Sequence, residues 1–541
     1  MGDAINHRKI EQLKKNIENS TNIYDIVVAA YITFGAYSSQ KKANYKADDY
    51  RELMEYIVAF DQCVESNPAS ALSQLQLELV DWLSEKKQVK YLDVYALILN
   101  IDRNHQYRMP AVALSSRRQH FEEFFGLNYE HKRYQVIPRV RDSISMKMNS
   151  AFEQATGKGL RKRGSGYSGK LNSELRHYDI FDKEKETYLP LIHRFTENAA
   201  KKIKKRLEKK GHYLTVGLFP LWGRELCQTL EFDYTANTFS VKGMIPEVEI
   251  EIQKRIEQAF VRCKEMKVDV AIFPEMMMTR SNLEKLISHV EMMSEDELPM
   301  LMIMGTVWET VIGQEGQDKR NVSVVLSCFG DVVIEQHKQT PFSFEKPHHE
   351  YAEYEEGHEE ELSLKDKNIR IIDIEDVGRF FTLVCRDVLN EAVMAWPKGL
   401  YADMVLVPAF SKSKNLRGEL NLLTADYWGV ALLCNSCSAL CPPGKKWIPE
   451  EIIRENIPVC PERMGKKANN KDKEYLEMGF VLTPAKEGTV PKAHYNPIHF
   501  SKLCIACQSR ECPGWIFDIH YKTFLFPDEE YNYGRIGVQE R

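Results

Sequence analysis

The chain has 541 residues, which is enough for two or three domains with sizeable cores. Its 73 Lys and Arg residues nearly balance its 78 Asp and Glu residues, but the first 210 residues are net basic and the remainder is net acidic. No apolar run reaches the roughly 18 residues that a bilayer crossing needs, so we expect no contact with a membrane.

The N-terminal sequence and the cysteines indicate the compartment. Residues Met1 to His7 lack the basic-then-apolar pattern of a signal peptide. Without a secretion signal, the 12 cysteines are interpreted as reduced thiols rather than as disulfides. We therefore expect a cytoplasmic protein.

Residues 1–105 predict an α-helical domain. Asn67, Pro68 and Ser70 supply a cap and a break ahead of one helix, whereas Tyr91 to Leu99 is apolar without distinguishing helix from strand. Apolar residues recur at three- and four-residue spacing in four segments, Ile10 to Ile17, Tyr24 to Phe34, Leu53 to Phe60 and Leu72 to Leu83.

Residues 106–211 predict a loop-rich, basic connection that ends in a helix. From Arg103 to Lys183 the chain is rich in Arg, Ser, Gly and Tyr, and Glu184 to Lys210 has the pattern of a long helix. Two basic stretches, Gly157 to Lys170 and Lys201 to Lys210, have two interpretations. They form either an electrostatic surface for nucleic acid or a solvated face that complements a helix dipole.

Three later stretches each place one reactive side chain at or just past the end of an apolar, β-branched run. They are Ile272 to Glu275, His337 to Phe342 and Leu383 to Asp387. Strands in these runs would deliver a carboxylate, an ammonium and a thiol to a sheet edge. Acyl transfer to sulfur needs these groups as proton shuttle, oxyanion partner and nucleophile.

Glu275, Lys338 and Cys385, in this order, resemble the triad of the nitrilase, or carbon–nitrogen hydrolase, superfamily. The resemblance implies an α/β fold in which residues 212–541 form a four-layer α-β-β-α sandwich that assembles into a homo-oligomer, with the α-rich domain before it. It extends over flanking segments, namely Tyr213 to Phe219, Val248 to Lys267, Met300 to Thr306, Asn321 to Ser327, Gly399 to Ala409, Thr424 to Asn435 and Gly479 to Gly488.

The resemblance also implies a role for each residue. Cys385 would attack a carbonyl or nitrile carbon, and Glu275 would act as general base and then general acid. Lys338, with the backbone N–H of Arg386, would stabilise the developing oxyanion. No cofactor is implied for catalysis. Taken singly, such a cysteine is more often a buried apolar residue and a lone lysine a surface one, but the joint order favours the triad.

Two residues are candidates for substrate binding. Many family members carry a second glutamate shortly after the lysine, and Glu345 is the best candidate, with Glu350 and Glu353 in the same loop. Arg386 stands where the family more often has an aromatic or small residue. Its guanidinium either holds a carboxylate or phosphate of the substrate or pairs with Asp387 or a loop acid.

The C-terminal cysteines suggest one structural metal ion. Cys504, Cys507 and Cys512 have the tight spacing of a zinc knuckle. Cys460 is the candidate for the fourth thiolate, and Cys437 with Cys441 is the alternative upstream. The alternatives are unligated thiols, as a reducing compartment favours, and an iron–sulfur cluster.

The predicted function is thiol-dependent hydrolysis of a small non-peptide amide, with a nitrile less favoured. The competing hypothesis is a non-enzymatic nitrilase-like scaffold whose basic N-terminal domain binds nucleic acid or a protein partner, as in a phage-defence system. An intact triad favours the enzyme, because a scaffold has no need of three reactive groups. Residues 436–478, inserted between two family strands, are either a lid or a partner interface.

Overall fold

A computed structural model gives the architecture. None of the helices that it describes combines the length and apolarity that a bilayer crossing requires. The residues described are 4–34, 47–64, 66–104, 121–124, 133–138, 175, 178–211, 213–221, 230–235, 237–313, 316–342, 359–363, 365–411, 414–427, 429–435, 477–487, 490–499, 514–520 and 537–540.

The chain divides into two compact units and is a mixed α/β protein. Within its described residues, the first unit contains five helices and an antiparallel pair of strands, β2 (Tyr134–Pro138) and β3 (Tyr178–Asp182). A short strand, β1 (Phe121–Phe124), precedes them. The helices are α1 (His7–Glu18), α2 (Ile23–Phe34), α3 (Arg51–Val64), α4 (Pro68–Glu85) and α5 (Tyr91–Asn104).

The four helices predicted from periodicity before residue 84 are confirmed, and the ambiguous segment from Tyr91 is the helix α5. Helix α4 begins for the predicted reason: the Asn67 side chain accepts a hydrogen bond from the Ser70 N–H at 3.3 Å, and Pro68 occupies the first turn. Helices α2 and α5 are both buried along most of their length. Helix α2 is accordingly apolar on nearly every side, whereas the buried residues of α5 include Asp93, Asn100 and Asp102.

The prediction of one long helix from Glu184 to Lys210 is wrong. This segment forms a strand, β4 (Leu189–Phe195), followed by a shorter helix, α6 (Glu197–Lys209). Pro190 disfavours a helix interior, and β4 is stabilised by parallel pairing with a strand almost 180 residues later. Local periodicity cannot reveal a pairing strand that is so distant in the sequence.

The second unit contains every element from β4 onward. Its further helices are α7 (Pro246–Met266), α8 (Arg280–Glu291), α9 (Glu391–Gly399) and α10 (Lys414–Tyr427). Its further strands are β5 (Tyr213–Leu218), β6 (Leu230–Tyr234), β7 (Thr238–Met244), β8 (Val270–Ile272), β9 (Leu301–Gly313), β10 (Gly316–Ser327), β11 (Val332–His337), β12 (Glu359–Glu360), β13 (Asn368–Ile374), β14 (Gly378–Thr382), β15 (Met404–Ala409), β16 (Val430–Asn435), β17 (Glu477–Glu487), β18 (Val490–His499), β19 (Trp515–His520) and β20 (Gly537–Glu540).

Two large sheets organise this unit. One runs in the order β4-β13-β14-β15-β16-β17-β18, and the other in the order β11-β10-β9-β8-β5-β19-β20. A small sheet has the order β12-β7-β6. Side chains from both large sheets and from α6, α7 and α8 contribute to one apolar core. Strands β15 and β16 are buried at every position, which explains why their sequences are apolar up to Asn435, the last residue of β16.

The ends of three strands bring the predicted reactive residues to one edge. Strands β5, β8 and β9 are parallel, and β11 shares the direction of β9 because each pairs antiparallel with β10. In the other large sheet, β14, β15 and β16 are parallel. The Glu275 N–H, just after β8, donates to the Ala409 carbonyl at the end of β15, at 3.3 Å. This bond joins the two large sheets beside the reactive residues.

Gly305 allows the close approach on which this edge depends. It has a φ of +72°, and a Cβ at this position would collide with the Pro274 carbonyl oxygen. Next to it, the Thr306 hydroxyl accepts a hydrogen bond from the Met276 N–H at 2.9 Å. The residues on either side of Glu275, Pro274 and Met276, thus both contact β9.

A buried cross-strand ion pair predicts a large stability effect away from this edge. Arg379 on β14 faces Asp373 on β13 and donates two hydrogen bonds to it, both at 2.8 Å. Asp373→Asn should lower the free energy of unfolding by about 3–5 kcal/mol, because it leaves a buried guanidinium without its counter-ion. Urea unfolding monitored by circular dichroism measures this change.

The matched control is Glu197→Gln, which breaks an exposed pair with Lys201 on α6. It should change the unfolding free energy by less than about 0.5 kcal/mol. Equal effects of the two substitutions would contradict this account of the buried pair.

Candidate active site

Lys338, Glu275 and a further glutamate, Glu360, form a buried ionic cluster. Lys338 Nζ lies 2.8 Å from Glu275 Oε1 and 2.6 Å from Glu360 Oε2. The exposed fractions of Lys338, Glu275 and Glu360 are 3%, 1% and 2%. Two carboxylates and one ammonium give the cluster a formal charge of −1.

Asn321 and Trp308 complete the contacts of the carboxylates. The Asn321 side-chain amide donates to Glu275 Oε1 at 2.9 Å and to Glu360 Oε1 at 3.0 Å. The Trp308 indole N–H lies 3.3 Å from Glu360 Oε1, and the Phe342 backbone N–H donates to Glu360 Oε2 at 3.0 Å. Both oxygens of Glu360 are therefore fully engaged, whereas Glu275 Oε2 is buried without a hydrogen-bond partner among the described residues.

Cys385 occupies a strained position just after β14. It starts a short 3-10 turn, Cys385–Leu389, with a φ of +47°, which is unusual for a residue other than glycine. Its exposed fraction is 1%, and Sγ lies 3.9 Å from the Phe410 carbonyl oxygen. The turn lifts the residue off the strand, so Cys385 does not lie in a continuous strand from Phe380.

Asp387 fixes the turn of Cys385 relative to the segment after Lys338. Its carboxylate accepts hydrogen bonds from the backbone N–H groups of Gln339 at 2.9 Å, Thr340 at 2.8 Å and Val384 at 3.2 Å. Burial raises the pKa of Asp387 to about 7 even though these donors favour the charged form. One buried carboxyl thus ties the lysine and cysteine segments together.

The electrostatics of the cluster favour a neutral thiol and a charged lysine. Burial raises the pKa of the Cys385 thiol well above its usual value, and the neighbouring Glu275 carboxylate raises it further. Burial acts to lower the pKa of Lys338, but Glu275 and Glu360 outweigh it and hold this pKa above its usual range. Burial likewise raises the pKa of Glu275, with Lys338 opposing the shift. The cluster therefore holds a charged ammonium near a protonated thiol.

The structure brings together the three residues that the sequence proposed, and it adds two that the sequence did not identify. Glu360 lies on β12, a two-residue strand that pairs parallel with β7. It falls in a run of acidic residues, so its register was not readable from sequence. Asn321 opens a hairpin strand noted in the sequence, but a lone asparagine there has no chemical signature.

The roles of several predicted site residues stay predictions. Arg386 follows Cys385 in the same turn and is partly buried. Glu345 lies outside the described residues, and so do the proposed zinc ligands Cys504, Cys507, Cys512 and Cys460. Within the part of the chain that the structure describes, no group of His, Cys, Asp and Glu side chains is arranged to hold a metal ion.

Comparison with known proteins gives similarities among solved structures. An amidase from Nesterenkonia sp. is 14% identical, with 42% of this chain and 76% of that chain covered and a TM-score of 0.28. Saccharomyces cerevisiae Nit3, a member of branch 10 of the nitrilase superfamily, is 14% identical over 55% of this chain and 93% of that chain, with a TM-score of 0.29. A glutamine-dependent NAD+ synthetase from Acinetobacter baumannii is 16% identical over 41% and 38%, with a TM-score of 0.28.

No protein-family model matches the sequence, and no curated protein matches it. TM-scores as low as those of the solved structures carry no argument about function. The contacts of this chain's own residues must therefore support any functional proposal.

The ionic cluster predicts a pH-dependent stability effect for Lys338→Met. Because the pKa of Lys338 is held above its usual range, its contribution to stability is fully present near neutral pH and is lost only in strong alkali. Without the ammonium, the pKa of Glu275 should rise further, because Lys338 opposes the effect of burial, so the folded variant binds protons more tightly than the unfolded chain. Its unfolding free energy should therefore fall by about 3–5 kcal/mol near neutrality, and less near pH 5.

Urea unfolding at about pH 5 and about pH 8 measures this difference. Lys202→Met is the matched control, because it removes an exposed lysine that pairs with Glu295. The control should change stability by less than about 1 kcal/mol at both pH values. A deficit for Lys338→Met that is the same at both would contradict the buried-carboxylate account.

The zinc prediction has a direct measurement. If the four cysteines bind a structural ion, elemental analysis of protein purified without a metal-affinity tag should find about one zinc per chain. Replacing Cys504 and Cys507 together with Ser should abolish it, and replacing Cys263, a buried thiol on α7, should not. Zinc content near zero in the unmodified protein would rule the site out.

Proposed function

We propose that the chain is a hydrolase that cleaves a carbon–nitrogen bond of a small non-peptide amide, with Cys385 as nucleophile and Glu275 and Lys338 as its partners. The observation that supports this most is an unpaired oxygen of Glu275. Glu275 Oε1 is held by Lys338 and Asn321, whereas buried Oε2 has no hydrogen-bond partner among the described residues. The same carboxylate is close enough to Cys385 to raise the pKa of its thiol. An acceptor without a donor at this position suits a general base.

In the first half of the proposed reaction, the Cys385 sulfur attacks the carbonyl carbon while Glu275 Oε2 takes the thiol proton. Negative charge develops on the carbonyl oxygen, and the Lys338 ammonium with the Arg386 backbone N–H stabilises it. As the carbon–nitrogen bond breaks, Glu275 returns the proton to the leaving nitrogen. The products of this half are an amine, or ammonia, and a thioester on Cys385.

In the second half, Glu275 deprotonates a water molecule that attacks the thioester carbon. The carbon–sulfur bond then breaks, the sulfur recovers a proton, and the carboxylic acid leaves. The overall change consumes one water and one amide and yields one acid and one amine. No redox partner or cofactor is needed.

Burial of the cluster supports a small substrate. Every reactive group is at most 3% exposed, so bulk solvent screens the attraction between the ammonium and the oxyanion only weakly, while a single water molecule can still enter for the second half of the reaction. Glu360 is proposed as a further positioning glutamate, because four donors occupy its two oxygens. Glu345 remains the proposed second glutamate that contacts the substrate. Arg386 remains the proposed contact for an anionic group on the substrate.

The surrounding architecture is proposed to be the four-layer sandwich, with α7 and α8 outside one large sheet and α9 and α10 outside the other. A homo-oligomer through such outer helices follows from the same proposal. The first unit would then form a separate α-rich domain whose role is open between nucleic acid and protein binding.

The competing function is a non-enzymatic scaffold that binds nucleic acid through basic surfaces. The basic helix α6 gives this little support, because Lys201, Lys202 and Lys204 each pair with an acidic residue of the same unit. A scaffold also has no reason to bury an ammonium with two carboxylates, since replacing buried ion pairs by apolar residues is often neutral or stabilising.

Selective alkylation tests the proposed nucleophile. Iodoacetamide should modify Cys385 faster than Cys263, which is equally buried but has no glutamate–lysine pair beside it. Glu275→Gln should slow modification of Cys385 by roughly 100-fold or more, because it removes the base. Quantitative peptide mass spectrometry of both cysteines in one sample gives the ratio.

Cys263 serves as an internal control because its rate should not change in Glu275→Gln. Modification of Cys385 and Cys263 at equal rates in the unmodified protein would contradict the proposed hydrolase function and favour the scaffold. If Cys385 is alkylated in Glu275→Gln at the same rate as in the unmodified protein, Glu275 is not the base.

A further inference from the structure

Asn321 makes contacts that the proposed reaction leaves unexplained. It lies on β10 with 1% of its surface exposed, and its side-chain amide donates one hydrogen bond to each glutamate of the cluster. A primary amide has two N–H donors, and both are used on carboxylates. Its carbonyl oxygen, Oδ1, has no hydrogen-bond partner within the described residues.

The orientation of this side chain is fixed by its neighbours. Rotating the amide by half a turn would place Oδ1 against two negatively charged oxygens, which is strongly unfavourable. The backbone adds a second link, because the Asn321 carbonyl accepts a hydrogen bond from the Lys338 N–H at 2.9 Å. One residue thus contacts both carboxylates and also fixes the start of the segment that carries the lysine.

We propose that Asn321 is a positioning residue that bridges Glu275 and Glu360 through its amide and so leaves Glu275 Oε2 as the carboxylate oxygen that is free to accept the Cys385 thiol proton. This inference rests on the proposed function. Lys338 forms the other bridge between the same carboxylates. The lysine supplies charge, and the amide supplies two donors without changing the net charge of the cluster.

The residue type follows from this role. Aspartate has the same shape but would bring a third carboxyl group against the other two. Serine has one donor and cannot bridge, and a second cation would neutralise the cluster and weaken the base. Because N–H donors favour the ionised form of a carboxyl group, the bridge keeps Glu275 ready to accept a proton.

The experiment is the pH dependence of Cys385 alkylation by iodoacetamide in the full-length protein, with Asn321→Asp and Asn321→Ala as test variants. Modification requires ionised Glu275, so the rate of Cys385 alkylation rises with pH over the range in which Glu275 loses its proton. This rising part of the pH–rate profile is called the acid limb. Asn321→Asp removes two donors and adds a like charge, so the limb should move to higher pH by about one unit or more. Asn321→Ala removes only the donors and should move the limb in the same direction by less.

Ser323→Ala is the matched control. Ser323 is a buried polar residue two positions along β10, and its hydroxyl has no hydrogen-bond partner in the described part of the chain. Its limb should superimpose on that of the unmodified protein. Circular dichroism establishes which variants fold. If Asn321→Asp does not fold, the acid limb of Asn321→Ala decides the test.

The possible results separate this inference from the proposed function. A uniform loss of rate with an unmoved acid limb in the Asn321 variants would reduce Asn321 to a structural residue and overturn the inference alone. If Cys385 in the unmodified protein reacts no faster than Cys263 at any pH, both the inference and the proposed function fail. A limb that moves only in the Asn321 variants supports both.

Discussion

The contact of one buried ammonium with two buried carboxylates is the constraint on which the candidate site depends. Each of these charges would be costly to bury alone, and together they are tolerable only when hydrogen-bonded at short range. Lys338 meets Glu275 and Glu360 at such distances. One ammonium cannot neutralise two carboxylates, so the remaining negative charge is stabilised by hydrogen-bond donors. This explains why an amide, an indole and a backbone N–H converge on the same carboxylates.

The fold supports this contact through backbone bonds between strand ends. Glu275 is tied to the other large sheet through Ala409, and Lys338 to β10 through Asn321. Asp387 links the segments that carry the lysine and the cysteine. None of the reactive side chains is placed by a long loop of its own. Backbone bonds to neighbouring strands therefore fix the positions of Glu275 and Lys338, and the bonds of Asp387 fix the turn of Cys385.

Sequence reasoning succeeded where a residue's position follows from local pattern. Glu275, Lys338 and Cys385 follow the ends of β8, β11 and β14, as the pattern predicted. Strands β8 and β11 lie in one sheet and β14 in the other, so the approach of the two sheets was not given by local pattern. Sequence reasoning failed where pairing with a distant segment decides the structure. Glu184 to Lys210 has helix-like spacing, yet β4 forms there because β13 offers a partner. Glu360 is one of many acids in its run, and only its pairing beside Phe239 identifies it.

The same limit explains why a role for Asn321 was not predicted. Its chemistry arises from two glutamates that are 46 and 39 residues away along the chain, so no spacing rule reaches it. Cys385 shows the converse case. Its position was predicted from a strand end, but its positive φ comes from the turn that follows, which the sequence pattern does not reveal.

The central claim, that sulfur and carboxylate act as one unit in carbon–nitrogen bond hydrolysis, is tested most directly by trapping the acylated protein. A small activated acyl compound such as phenyl acetate, mixed with the protein and quenched in acid, should leave an acyl group on Cys385 that hydroxylamine removes. The same treatment of Glu275→Ala should leave Cys385 unmodified on the same timescale. An acyl group on another residue, or equal acylation of Cys385 with and without Glu275, would contradict the account.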